Sequence, residues 1–231
     1  MRYKWIDALK GFGIILVILG HLPTFPELHT YIYSFHIPLF FFISGYLFSK
    51  EKYTTAKKYV TSRIRGLIWP YFSFTLLSYI IFVMTSYSLS EHKFLLPYEG
   101  DIMKTFYSML YASANSTHFE LVIINQTLWF LPCLFITSMI FYLLFRFFGH
   151  SPKAFISATI VTSLIGYYLI KYLPRSLPWS ADTALSAVTF YSGGYLFRNY
   201  FEEKFFNVGD FVVVNADLIF PFLAGFNFPL F

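Results

Sequence analysis

Asp7, Lys10 and His21 fall in a single apolar stretch near the start of the chain, and their spacing makes them candidates for chemistry. At 100° per residue, Lys10 and His21 lie about 20° apart around a helix, with Asp7 about 60° from Lys10. They form a stripe and not a cluster, because Lys10 and His21 stand about 16 Å apart along the axis. Asp7 and Lys10 can pair at i,i+3. His21 follows Gly20, which allows close approach of another helix or of a ligand. A second apolar stretch carries His36 and then the small pair Ser44-Gly45. Ionisable side chains inside a membrane are expensive and are functional candidates for that reason. Imidazole changes charge around neutral pH, so it can take the proton of a hydroxyl as a general base. On the residues alone, His21 reads equally as a helix-end histidine at the interface. His36 reads equally as a neutral imidazole bonded across helices. Ser44 reads as a packing residue, since a serine nucleophile needs an adjacent base and the spacing singles none out.

The elements that must hold these groups are written in the composition. Of the 231 residues, 57% are hydrophobic and 13% charged. Soluble domains have about 25% charged residues, so this chain lacks the charge to clothe a soluble surface. A soluble enzyme, a disordered tail and a disulfide-stapled module are excluded. The expected fold is all-α, a polytopic bundle of transmembrane helices forming a single integral membrane domain over residues 1–231. Seven spans are expected: Trp5–Leu22, Tyr31–Phe48 with a kink at Pro38, Leu67–Thr85, Ile124–Phe148, Phe155–Leu173, Thr183–Tyr200 and Phe211–Phe226. The segment Ile102–Ser113 is expected to be an interfacial helix.

The net charge of +5 points to topology and not to nucleic acid, because Lys and Arg gather in cytoplasmic loops. Arg2, Lys4 and Lys10, then Lys50 to Arg65, Arg146 with Lys153, and Arg198 with Lys204 fall on one side if the N-terminus is cytoplasmic. The first apolar stretch lacks a small-residue cleavage site and reads as a retained helix. Cys133 is the single cysteine. It excludes an intramolecular disulfide and a thiolate metal cluster, and it reads as a buried small hydrophobe. Two histidines without a carboxylate or thiolate at ligand spacing make a poor zinc site, so no metal is expected. Asn125, Gln126 and Trp129 at the outer start of the fourth span, and Asp182 before the sixth, are candidates to line an acceptor pocket. Structural roles are the competing reading for each.

Asp7, Lys10-Gly11 and Gly20-His21, followed by Phe35-His36-Ile37-Pro38 and Phe41-Phe42-Ile43-Ser44-Gly45, resemble the membrane acyltransferase family 3, particularly its fucose 4-O-acetylase-like branch. Trp69-Pro70-Tyr71, Leu128 to Leu131 and Pro178 to Asp182 are weaker matches, and the resemblance covers about residues 3–200. It implies an integral enzyme of the plasma (inner) membrane that moves an acyl group, often acetyl, from cytoplasmic acyl-CoA to a sugar hydroxyl. The acceptor is a surface polysaccharide or its lipid-linked precursor. The resemblance carries the catalytic role to His21. On the acyltransferase reading the other candidates take these roles: His36 assists. Asp7 and Ser44 orient, and Lys10, Lys58, Arg63 and Arg65 attract the donor. Asn125, Trp129 and Asp182 contact the acceptor. Acyl-CoA enters as co-substrate and no cofactor is bound.

Two features depart from that family. Its Arg-x-x-x-Arg element is absent: Leu67 stands four residues after Arg63, and the second arginine is Arg65. The family has about ten spans against the seven read here, so a C-terminally truncated member is the expectation. Two rivals stand beside the transferase. One is a transporter or exporter of a polar or lipid-linked solute, for which no repeated half is seen. The other is an inactive remnant.

Overall fold

A computed structural model describes residues 4–22, 26–88, 102–113 and 126–202, and all regular structure among them is helical. The eight α-helices are α1 (Lys4–Gly20), α2 (Pro26–Tyr46), α3 (Ala56–Arg63), α4 (Trp69–Ser88), α5 (Ile102–Tyr111), α6 (Phe130–Phe148), α7 (Pro152–Tyr172) and α8 (Ala181–Leu196). A π-helical turn at Ile64–Ile68 joins α3 to α4 without a break, so the eight make seven continuous rods. Two of them begin on a side-chain cap. Thr55, in an extended conformation, caps α3 by accepting the Lys58 N–H. Ser151 caps α7, with Pro152 in its first turn where no N–H is needed. α2 runs through Pro38 as one helix.

Three stretches among the described residues are long and apolar enough to cross a membrane: Ala56–Met84, Thr127–Phe148 and Pro152–Tyr172. Their apolar side chains point outward. Phe74, Leu76, Leu77, Ile80, Ile81, Val161 and Leu164 are all exposed, which suits a protein whose solvent is lipid. The expected span Phe211–Phe226 lies outside the described residues. The expected interfacial helix is α5. Its outward face holds Met103, Phe106, Tyr107 and Leu110, and its buried face holds Thr105, Ser108 and Met109.

The described residues divide into two compact units. One comprises those up to Phe48 with those from Thr189 onward, and the other those within Ser49–Val188, so the division falls inside α8. In the first unit, α1 packs on α2. Ile6, Ile43 and Tyr46 form a buried cluster joined by Leu9, Leu39 and Phe197. Glycines let the backbone of α2 meet the later part of α8. A methyl on Gly45 would be driven into the Tyr191 carbonyl, and one on Gly194 into the Phe42 carbonyl. Arg198 closes the end of α2 by donating from Nη1 to the carbonyls of Tyr46 at 3.1 Å and Phe48 at 3.3 Å, groups that a helix terminus leaves without partners. The Tyr46 hydroxyl donates to Glu202.

The second unit is held by small and polar contacts. Ser163 donates to the carbonyls of Leu185 and Ser186, and Gly166 admits the Ser186 backbone. Aromatic donors satisfy last-turn carbonyls of α5: the Tyr71 hydroxyl reaches Met109 O at 2.5 Å and Trp179 Nε1 reaches Leu110 O at 3.0 Å. Such bonds give these carbonyls the partners that a helix terminus leaves them without.

Candidate functional site

The histidine site lies in the first unit and begins with the way α1 ends. The His21 N–H turns back to the Ile18 carbonyl, so the helix tightens to an i−3 bond and leaves the Val17 carbonyl open. His21 fills that vacancy itself, with Nδ1 at 2.8 Å from Val17 O. A carbonyl only accepts, so Nδ1 carries the proton and Nε2 keeps the lone pair. The ring is exposed. His36 repeats the arrangement one helix on, with Nδ1 at 2.6 Å from Ile32 O, but it is only 3% exposed. The open imidazole suits a base that touches a substrate, and the closed one suits a group that orients.

Between them lies a ring the sequence reading passed over. Tyr33 stacks on His29 at 4.1 Å and meets His36 edge-on at 4.9 Å. It is tilted against His21 at 6.2 Å. Positions 29, 33 and 36 are spaced i, i+4, i+7, one face of a helix, and that spacing was the available signal. Gly20 gives the ring its place, since a Cβ there would stand 2.9 Å from Tyr33 Cε2. Ser44 donates its hydroxyl to the Phe40 carbonyl at 2.8 Å, so it serves its own helix. Asp7 and Lys10 lie half-buried, one turn apart, on α1.

The basic residues of the second unit separate into two groups. Lys57, Lys58 and Arg65 line an open recess of about 670 Å³ with Thr55, Thr61, Ser62 and Gly66. Lys58 and Arg65 are seven residues apart and so fall on one helical face. Arg63, two residues from Arg65, points elsewhere. Its guanidinium lies over the Tyr59 ring at 5.1 Å. Tyr59 is itself buried, stacked on Tyr142 at 4.6 Å and bonded to the Ser138 carbonyl. Tyr53 joins the edge of this ring stack. Burial alone would raise its phenol, but the Ser62 hydrogen bond and the charges of Arg63 and Lys52 outweigh that and leave it below the usual range.

The remaining expected site residues are placed as follows. Trp129 is half-buried in the short helical turn Gln126–Trp129 leading into α6, edge-on to Phe130. Asn125 lies outside the described residues. Asp182 is 2% exposed, within the first turn of α8. Its carboxylate faces the backbone N–H groups of Thr183 and Leu177 and the Ser176 hydroxyl, while Oδ1 has no hydrogen bond. Just before it, Trp179 and Ser180 both adopt positive φ, 58° and 50°. Asp182 thus ties down a tight turn. Cys133 is buried and places Sγ against the Ser180 carbonyl. Among the described residues, no group of three His, Cys, Asp or Glu side chains is arranged to hold a metal ion.

The geometry offers an oriented exposed imidazole in one unit and a cationic recess in the other. These suit, respectively, proton removal from a nucleophile and retention of a phosphate-bearing molecule. No curated protein and no solved structure matches the chain. A family profile described as an acyltransferase domain, that of acyltransferase family 3, matches residues 3–229.

Proposed function

Because the chain belongs to acyltransferase family 3, a family of membrane proteins, we propose that it is an O-acyltransferase. It moves an acyl group, acetyl in the first instance, from cytoplasmic acyl-CoA to a hydroxyl of a cell-surface carbohydrate or its lipid-linked precursor. The reading places it in the plasma (inner) membrane with seven spans and a cytoplasmic N-terminus, as the loop charges suggest. It keeps the resemblance to the fucose 4-O-acetylase-like branch.

One observation carries this reading: the His21 imidazole is exposed and bonded through Nδ1 to the Val17 carbonyl. Nε2 takes the proton of the sugar hydroxyl as its oxygen attacks the thioester carbonyl. A carbon–oxygen bond forms, the carbon–sulfur bond breaks, and the proton passes on to the departing thiolate. His36 orients. Lys58 and Arg65, with Lys57, bind donor phosphates through charge-assisted hydrogen bonds. A recess of this size lies within the range of ligand sites, about 300–1,000 Å³. Trp129 is kept as an acceptor-side contact.

The test is direct. Membranes containing the chain receive acetyl-CoA labelled in the acetyl group and lipid-linked glycans. Label is expected in the glycan fraction. Its absence with correctly inserted protein, across acetyl and longer acyl donors, overturns the reading.

The recess gives a second expected result. Lys58→Glu and Arg65→Glu should each raise the KM for acyl-CoA about tenfold with kcat nearly unchanged, since the lost contacts are exposed and at the low end of charge-assisted bonds. Arg63→Gln should change KM less, because its guanidinium rests on Tyr59. Steady-state kinetics across donor concentration checks both. An Arg65→Glu variant with the parent KM would remove the recess from the donor site.

A further inference from the structure

The cationic recess of the second unit lies at one end of a rod that turns apolar just beyond it. Lys57, Lys58 and Arg65 line the recess, and among the described residues its lining holds three cations and no carboxylate. Thr61 stands in the same lining, and its hydroxyl can donate to an anion. Such a set suits a phosphate, whose oxygens take charge-assisted hydrogen bonds from ammonium and guanidinium groups. The rod, Ala56–Met84, is long and apolar enough to cross a membrane. Trp69 comes four residues after Arg65, about 6 Å along the axis, and is 72% exposed. Tryptophan gathers at the boundary between hydrocarbon and headgroups. The headgroup layer on each side of the hydrocarbon core is about 5–8 Å deep. A Trp69 at the edge of the core therefore leaves Arg65 at the level of the lipid phosphates. Further along α4, Phe74, Leu77, Ile81 and Met84 are exposed and apolar, as contact with acyl chains requires.

We propose that the recess seats the phosphate of an anionic phospholipid, whose acyl chains lie along the outward face of α4 past Trp69. A soluble phosphate offers the same charge. The lipid is favoured because the cations stand one headgroup depth from an exposed tryptophan and a lipid-facing surface. On the topology proposed above, the recess faces the cytoplasmic leaflet, where anionic lipids collect. One consequence rests on the acyltransferase reading, which places donor phosphates on the same Lys58 and Arg65: lipid and acyl-CoA compete. An anionic membrane then raises the donor concentration that the enzyme needs.

The experiment places the full chain in vesicles of phosphatidylcholine and phosphatidylglycerol in equal parts, with bromine on the acyl chains of one lipid or the other. Bromine quenches a nearby tryptophan, and the share due to Trp69 is the difference between the parent and Trp69→Phe. That share should be about twofold or more greater when the anionic lipid carries the bromine, since each Lys or Arg near the surface adds to the attraction. Lys58→Glu with Arg65→Glu should abolish the preference. If the charge reversal does not insert, Lys58→Gln with Arg65→Gln replaces it. Equal quenching by the two lipids in the parent overturns the proposal, and so does a preference that the double variant keeps. Soluble glycerol 3-phosphate at millimolar concentration should leave the preference intact; if it removes it, the recess takes free phosphate and the lipid seat falls. Acyl transfer then tests the competition. Replacing phosphatidylcholine by phosphatidylglycerol should raise the KM for acyl-CoA several-fold in the parent and less in Arg65→Glu, because bulk repulsion of the anionic donor acts on both. An equal rise in both removes the donor from the recess, and the quenching still decides the lipid seat. A parent without transfer activity sinks the enzymatic reading and leaves the quenching result as it stands.

Discussion

His21→Ala is expected to lower acyl transfer by about 10²–10⁴-fold, the usual contribution of a positioned general base, without removing the chain from the membrane. A sugar hydroxyl attacks a thioester poorly while it keeps its proton, so loss of Nε2 acts on the chemical step. The fall should appear in kcat, with KM for acyl-CoA little changed. The fold should tolerate the change. His21 is exposed, at the end of α1, and its hydrogen bond to Val17 O closes a last-turn carbonyl near the surface. His21→Gln sharpens the test, because an amide can still donate to Val17 O but has no basic nitrogen. It should be as inactive as alanine. His36 makes the contrast. It is 3% exposed, so His36→Ala removes packing as well as a ring, and both activity and thermal stability should fall. Labelled acetyl transfer, with a melting curve for each variant, separates the two. A His21→Ala protein retaining more than a tenth of parent activity would remove His21 as the base.

How far the sequence could be read depends on what each signal measures. Hydropathy reports which residues suit lipid, and it located the apolar rods closely: Phe155–Leu173 was expected and α7 is Pro152–Tyr172. It says nothing of helix that continues past the lipid. Lys57, Lys58 and Arg63 read as a loop, yet Lys and Arg are good helix formers. With the Thr55 cap and buried Tyr59 they start a helix well ahead of Leu67. The Arg63 and Arg65 pair shows the same limit. The two were read together as one donor site, but positions two apart lie about 200° apart around a helix. His21 and His36 were legible because ionisable groups stand out in apolar runs. Tyr33 was not, among 19 tyrosines and 31 phenylalanines. His29 lay just ahead of the expected second span. Asp182 was read as preceding a helix, with an acceptor pocket and a structural role both open to it; α8 begins at Ala181 and draws the carboxylate into its first turn. Contacts of this kind are set by which helices meet, and a single hydropathy pattern does not encode that.

Where helices meet most closely, substitution should be least tolerated. Gly45→Val is expected to destabilise the first unit by about 3 kcal/mol or more, at the upper end of overpacking, and to lower its melting temperature by roughly 6–12 °C. Gly45 and Gly194 face backbone: an added methyl would run into the carbonyl of Tyr191 or of Phe42. A side chain can turn aside, but a helical carbonyl moves only with its helix. α2 and the later part of α8 would have to separate by more than a bond length, losing contact along Phe41, Ile43, Tyr46 and Tyr191, all nearly fully buried. In lipid no hydrophobic force offsets that loss, because the tails are as apolar as the side chains. Close packing and interhelical polar contacts supply the association, and dispersion falls steeply with a gap below an ångström. Gly45→Ala should already show much of the effect. Gly11→Ala and Gly66→Ala are the controls. Nothing lies within 4 Å of an added Cβ at either site, and alanine is favoured over glycine inside a helix by about 0.5–1 kcal/mol, so both should melt at or slightly above the parent temperature. Melting in detergent micelles, followed by tryptophan fluorescence, distinguishes the two classes. If Gly45→Val melts with the controls, the backbones of α2 and α8 are not in contact, and helix association in this unit must come from the aromatic side chains instead.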